Sequence, residues 1–155
     1  MNSFFAQLYI DLTTHLNDAV GELKWIEQDF GQENDELRPN VAFPAALIDF
    51  PRTDYTEEGE LCQMAVSTVT VKLLFAPYTQ SYSAAPDTVK QEAISYYETE
   101  QKVVDALHGW QPSAGYCEPL VRISATGDNK SKGGTGLRIR TIVFTTAFEA
   151  DENGR

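Results

Sequence analysis

The sequence has few of the residues and none of the long segments on which several protein classes depend. Its 155 residues include two cysteines and two histidines, and 23 acidic residues outnumber 12 basic ones, for a formal net charge of −11. No apolar run reaches the roughly 18 to 20 residues of a membrane-spanning helix, and the N-terminal segment lacks the basic region and cleavage site of a signal peptide. We therefore expect a protein that assembles inside the cell, binds no membrane and recognises no specific nucleic-acid sequence.

The remaining composition is that of an ordinary globular protein. Hydrophobic residues make up 42% of the chain and charged residues 23%, and the length fits a single domain of roughly 100 to 200 residues. We expect one domain spanning residues 1–155. Cys62 and Cys117 both fall in segments with strand character, where a reducing compartment would leave them as buried thiols. A disulfide between them is the alternative.

Two segments have the apolar spacing of amphipathic helices. In residues 3–23 apolar side chains recur every three or four positions, as they do on one face of a helix. A second such segment follows Pro86 and is expected to end near His108, before Gly109. Thr88 and Gln91 have the spacing of a capping box at its start.

The strands are predicted in two pairs. Apolar and polar residues alternate from Thr68 to Phe75, which is typical of a half-buried strand, and residues 62–76 should pair with residues 46–53 as a hairpin. Two β-rich segments after Pro112 predict a second hairpin. The order predicts an α+β fold (αββαββ), an antiparallel sheet of two hairpins with two helices packed on one face. Mobile loops are expected at residues 27–39, 54–60 and 126–136.

The sequence gives little support for a catalytic or metal-binding role of any residue. His15 lies at the edge of the first apolar stripe, and His108 lies in the last turn of the second helix, where it complements the helix dipole. Packing and capping therefore account for both histidines. An enzyme that uses Cys62 or Cys117 with His108 is the least favoured of three functional hypotheses.

Two other motifs resemble binding sites only superficially. The acidic residues from Asp29 to Glu36 lack the order of an EF-hand loop. Gly133, Gly134 and Gly136 precede a strand, not the helix that follows a phosphate-binding loop. We expect no catalytic residue, no cofactor and no metal ion.

The charges are distributed unevenly along the chain. Residues 27–60 contain ten acidic and two basic side chains, a net charge of −8, whereas residues 122–140 contain five basic and one acidic, a net charge of +4. Patches of opposite sign suit a contact between different surfaces of two copies, and such contacts close into rings. The alternative is that both are solvated surfaces or pair within one subunit. The candidate contact residues are Asp54, Glu57, Glu58, Glu60, Arg122, Lys130, Lys132, Arg138 and Arg140.

Nearly the whole chain resembles the tail terminator (tail completion) proteins of long-tailed bacteriophages. The resemblance is carried by the leading helix ending in Trp25 and by the segments RPNVAFPAALIDF, VTVKLLFAPYTQ, ALHGWQP, EPLVRIS and TIVFTTAFEAD. It implies a non-enzymatic structural protein of the virion, present in the host cytoplasm during assembly, that uses no cofactor. It also implies a homohexameric ring that caps the tail tube and joins it to the head-tail connector protein, with residues 54–60 and 130–136 as contacts. The second hypothesis is a small acidic protein-binding module, such as an inhibitor of a basic partner protein.

Overall fold

The computed structural model describes residues 3–34, 41–76, 81, 83–130 and 136–150. Five strands form one sheet in the order β1-β2-β3-β5-β4, and the α+β class is as predicted. None of the described helices is long and apolar enough to cross a membrane. In chain order the elements are α1 (Phe4–Ala19), β1 (Trp25–Gln28), a 3-10 turn (Gln32–Asn34), β2 (Ala45–Gly59), β3 (Cys62–Phe75), α2 (Asp87–Ile94), α3 (Tyr96–Leu107), β4 (Val121–Lys130) and β5 (Leu137–Ala150).

The sheet is mixed, which corrects the prediction of a wholly antiparallel sheet of two hairpins. The hairpins β2–β3 and β4–β5 are present and adjoin through β3 and β5, and all of these neighbours are antiparallel. β1 is a fifth strand, and it pairs in parallel with the start of β2, from Trp25 opposite Ala45 to Gln28 opposite Ile48. A strand of four residues is too short to show a period of two, so the sequence placed Glu27 and Gln28 in a loop.

The predicted loops are largely the ends of strands. β2 continues to Gly59, so most of the acidic segment 54–60 lies in a strand, and the chain turns at Glu60 and Leu61, which have φ of 51° and 63°. Residues 126–130 belong to β4, and residues 131–135 lie outside the described residues. Of residues 27–39, the first two belong to β1 and residues 35–39 lie outside the described residues. The mobility of these segments stays a prediction.

The helices are shorter than their apolar stripes. α1 begins after Ser3, whose Oγ accepts the Ala6 N–H, and it ends at Ala19, although the buried stripe continues in Val20. The second predicted helix is interrupted at Ser95, which separates α2 from α3. The predicted capping box is not formed, because α2 begins after Pro86 with no side-chain capping hydrogen bond.

One face of the sheet carries the main core. Leu8, Leu12 and Leu16 of α1 are fully buried, and they join α3 and the inward residues of the central strands in one apolar cluster. The opposite face, here called the outer face, is covered only in part. A smaller cluster there contains Ala45, Leu47, Leu74, Leu137 and Ile139, against which Val41 and Phe43 pack.

Candidate subunit interface

The histidines and cysteines do not form an evident reactive pair. His15 Nε2 is 2.8 Å from the Ala106 carbonyl oxygen, and its ring stacks on Trp110. His108 Nδ1 accepts the Arg122 N–H at 3.1 Å. Both cysteines are thiols: Cys62 Sγ donates to Glu149 Oε1 at 2.8 Å, and burial raises the pKa of the Cys117 thiol. The His15 ring thus packs at the end of α3, whereas the His108 ring accepts a hydrogen bond from β4.

The other polar clusters and clefts of the described residues contain few groups that could take part in chemistry. Within the described ranges no three His, Cys, Asp or Glu side chains are grouped so that they could hold a metal ion. A cleft of about 400 Å³ between α1 and the first half of β2 is lined mainly by apolar and aromatic groups, among them Phe5, Tyr9 and Phe50. Burial, and secondarily the charge of Glu27, raises the pKa of Tyr9. Its hydroxyl therefore stays protonated at neutral pH.

The predicted acidic contacts lie together at one end of the β2–β3 hairpin. Asp54, Glu57, Glu58 and Glu60 are all exposed. Asp54 is 3.0 Å from the Arg52 guanidinium, and Glu57 Oε1 accepts a hydrogen bond from Gln63 at 2.6 Å. This group, called the acidic tip below, is accessible to a partner.

The predicted basic contacts are divided between the surface and the interior. Arg122 is exposed on β4, and Lys130 ends that strand, while Lys132 lies outside the described residues. Arg140 instead faces α3 and forms two hydrogen bonds with Glu100, from Nε to Oε2 at 2.8 Å and from Nη2 to Oε1 at 3.0 Å. Arg138 lies over the Tyr96 ring, with its guanidinium carbon 5.7 Å from the centroid.

A glycine on the neighbouring strand makes room for the Arg140 side chain. A Cβ at Gly127, which pairs with Arg140, would lie 2.6 Å from Arg140 Nη1. The Arg140 and Glu100 side chains are only 19% and 11% exposed. The sequence carried a signal for this pair, because Glu100 falls at an apolar position of the predicted second helix.

We expect Arg140→Met to lower the free energy of unfolding by about 1–3 kcal/mol, because it leaves the Glu100 carboxylate partly buried without its cation. The matched control is Arg52→Met, which removes an ion pair whose side chains are 76% and 65% exposed and should leave stability unchanged. Urea unfolding of the two variants tests this. Equal unfolding midpoints would contradict an internal role for Arg140.

Two strand edges in the sheet have no neighbouring strand among the described residues. β1 covers β2 only at residues 45–48, which leaves residues 52–59 as a free edge. β4 is the last strand on the other side, and no described strand pairs with its outward edge, although the Arg122 N–H is bonded to His108 Nδ1. Free edges expose unpaired backbone N–H and C=O groups and readily accept another strand.

Beyond the smaller cluster, the outer face of β3 and β5 carries short polar and apolar side chains. Its cross-strand pairs include Thr68 with Thr145 and Val66 with Ala147. Val66 and Val121 are each 48% exposed, and Ile123 is 58% exposed. Apolar groups exposed beside a free edge are typical of a surface that contacts another protein.

The chain matches known proteins in structure but not in sequence. No protein-family model matches the chain, and no protein with a curated description matches it in sequence. Among solved structures, the chain is similar to one described as "Virion of native gene transfer agent (GTA) particle", with a TM-score of 0.54 and 15% sequence identity. The alignment covers 96% of this chain and 99% of that chain. At this identity the likeness shows a shared fold.

Proposed function

We propose that this protein is a non-enzymatic structural component of a virion, whose copies form a ring that caps the tail tube and joins it to the head-tail connector. The observation that carries the proposal is the shared fold with a chain of a gene transfer agent particle, which extends over 96% of this chain and 99% of that chain. A likeness over the full length of both chains concerns the whole domain and not a small motif common to many folds.

The shape and charge of the sheet support an assembling role. Free edges lie on opposite sides of one sheet, so each copy can contact two neighbours through different surfaces. The exposed apolar side chains Val66, Val121 and Ile123 lie on or beside these strands. The six-fold ring and its place between tail tube and connector come from the resemblance to tail terminator proteins.

The test is the mass of the assembled protein. We expect light scattering to give a six-copy mass, either for the purified chain or after addition of the tail-tube protein of the same particle, and electron microscopy to place a ring at the tube end. Raised salt should weaken the ring if charged contacts hold it. A strictly monomeric mass, with no binding to tail tubes, would refute the proposal.

The acidic tip favours a second candidate, a small module that binds a basic protein. Its carboxylates are exposed at the end of the β2–β3 hairpin, where they could imitate an anionic surface. This candidate predicts a monomer that captures a basic partner from host extract with salt-sensitive affinity. Charge reversal at Glu57 and Glu58 would then abolish capture, whereas a ring former would show no such partner.

A further inference from the structure

We infer that the ring is built by strand pairing, in which the free edge of β2 in one subunit (residues 52–59) pairs with the outward edge of β4 (residues 121–128) in a second copy of this chain. The inference rests on the proposed ring and names the surfaces that would form it. β2, β3, β5 and β4 are antiparallel neighbours in that order, so β2 and β4 run in opposite directions. Copies in the same orientation would therefore pair these edges antiparallel.

The two free edges occupy opposite halves of the sheet. The pairs Arg52 with Thr68, Thr68 with Thr145, and Thr145 with Val121 place Arg52 and Val121 in one row across the strands. From this row the β2 edge runs toward the hairpin turn, and the β4 edge runs the other way, toward Lys130. The neighbour must therefore be displaced along the strands by the length of an edge, roughly 25 Å for eight residues. Such a stagger is what a tilted sheet needs to close into a barrel.

Charge complementarity selects one register. When Arg52 lies opposite Asp128 of the next copy, Thr56 lies opposite Ser124, and these side chains share the outer face. The register shift between Arg122 and Ser124 adds one residue to β4. Because of this extra residue, Arg122 lies opposite Glu57, and both side chains are on the face that the helices cover. All four charged side chains are exposed in the subunit. One register thus forms two pairs of opposite charge, each on its own face of the joined sheet.

The exposed apolar groups agree with this arrangement. Tyr55 is 47% exposed on the β2 edge, and Ile123 is 58% exposed at the irregular point of β4. In the proposed register both lie within the contact. Backbone hydrogen bonds would supply affinity there, and the charged pairs would fix the register.

The decisive experiment is charge exchange in the full-length chain, with light scattering as the readout. Glu57→Arg and Arg122→Glu should each raise the concentration needed for half-assembly about tenfold or more, since each places like charges together. The double variant should return the midpoint to within about threefold of the original value, because it restores the pair with reversed sign. Glu60→Arg is the matched control, since Glu60 lies in the turn beyond the edge, and it should assemble normally.

The outcomes separate this inference from the proposed function. If the unmodified chain forms no ring with or without tail tubes, the proposed function fails. If the ring forms and the single variants assemble normally, or the double variant is no better than either, the inference fails and the ring is held by another surface. Thermal melting of every variant checks that the subunits fold.

Cysteine crosslinking gives a second test that needs no change of charge. Thr56→Cys together with Ser124→Cys, in a Cys62→Ser background, should yield a ladder of covalent oligomers on a non-reducing gel after oxidation. Within one subunit the two positions lie three strand spacings, about 14 Å, apart across the sheet, and they are further separated along the strands, so they cannot join internally. Variants that carry only one of the two substitutions, and that like the double variant retain the buried Cys117, should give no ladder. If the double-cysteine variant gives none while its rings are present, the pairing is refuted.

Discussion

Replacing Phe144 by alanine is expected to lower the free energy of unfolding by about 3–5 kcal/mol, the largest effect of any single change considered for this chain. Phe144 has no exposed surface and lies on β5, between Val69 of β3 and Arg122 of β4. Its ring belongs to the cluster that joins the sheet to α1 and α3. Truncation would leave a cavity that three elements border, and none of them can move in without breaking its own contacts.

Phe30→Ala is the matched control for this prediction. It is the same chemical change at a side chain that is 72% exposed, and it should alter stability by less than about 0.5 kcal/mol. Urea denaturation of both variants, with the slope of each transition checked, measures the difference. A loss below about 1 kcal/mol for Phe144→Ala would mean that the sheet and the helices do not share the core described.

The elements with strong internal periodicity could be predicted from the sequence. The stripe that includes Leu8, Leu12 and Leu16 is fully buried on α1, and the alternating residues 68–75 form a central strand. These patterns are local, so a window of ten to fifteen residues contains the whole signal. The periodicity does not define the end of the helix, because Val20 is buried outside α1 and continues its stripe.

Elements that depend on distant partners could not be predicted in this way. β1 exists because four residues pair with the start of β2, which follows it by about twenty positions. The acidic segment 54–59 is strand because it pairs residue by residue with β3, although Asp and Glu have low strand propensity. The turn at Glu60 and Leu61 lacks the Asn-Gly or Asp-Gly sequence that usually announces a two-residue hairpin loop.

The candidate contact residues, too, could be predicted only in part, because their burial depends on distant parts of the chain. Net charge per segment identified the acidic tip, whose residues are exposed as a solvated surface requires. It could not separate Arg122, which is exposed, from Arg140, which binds Glu100 across forty residues of sequence. The sign of a charge is local information, whereas its burial depends on which helix covers the strand.

A salt-bridge cluster on the outer face leads to the second large prediction. Lys72 Nζ lies 2.9 Å from Asp29 Oδ2 and 2.6 Å from Glu33 Oε1, which holds the segment after β1 against β3. Glu33 is only 7% exposed. Its other oxygen, Oε2, has no hydrogen-bond partner in the part of the chain that the structure describes. The cation therefore compensates two carboxylates, one of them buried.

We expect Lys72→Met to lower the free energy of unfolding by about 2–4 kcal/mol, because methionine fills similar space but leaves both carboxylates without a cation. Lys102→Met is the matched control. It removes a 3.0 Å ion pair with Glu22 whose side chains are 55% and 43% exposed, and it should change stability little. If the two variants unfold at the same urea concentration, the cluster does not stabilise the fold.

The pH dependence of that difference gives a sharper test. Burial by itself lowers the pKa of Lys72, but hydrogen bonds and opposite charges from Glu33 and Asp29 outweigh it, so the pKa is raised above its ordinary value of 10.5. A raised pKa means that the folded state holds the proton more tightly, so this contribution is complete below pH 10.5 and is lost as the pH rises through the folded-state pKa. The stability difference between the unmodified chain and Lys72→Met should therefore be constant from pH 7 to about pH 10 and shrink at higher pH. Because tyrosines titrate in both proteins, only the difference between their unfolding midpoints isolates Lys72, and a difference that grows above pH 10 would contradict the assignment.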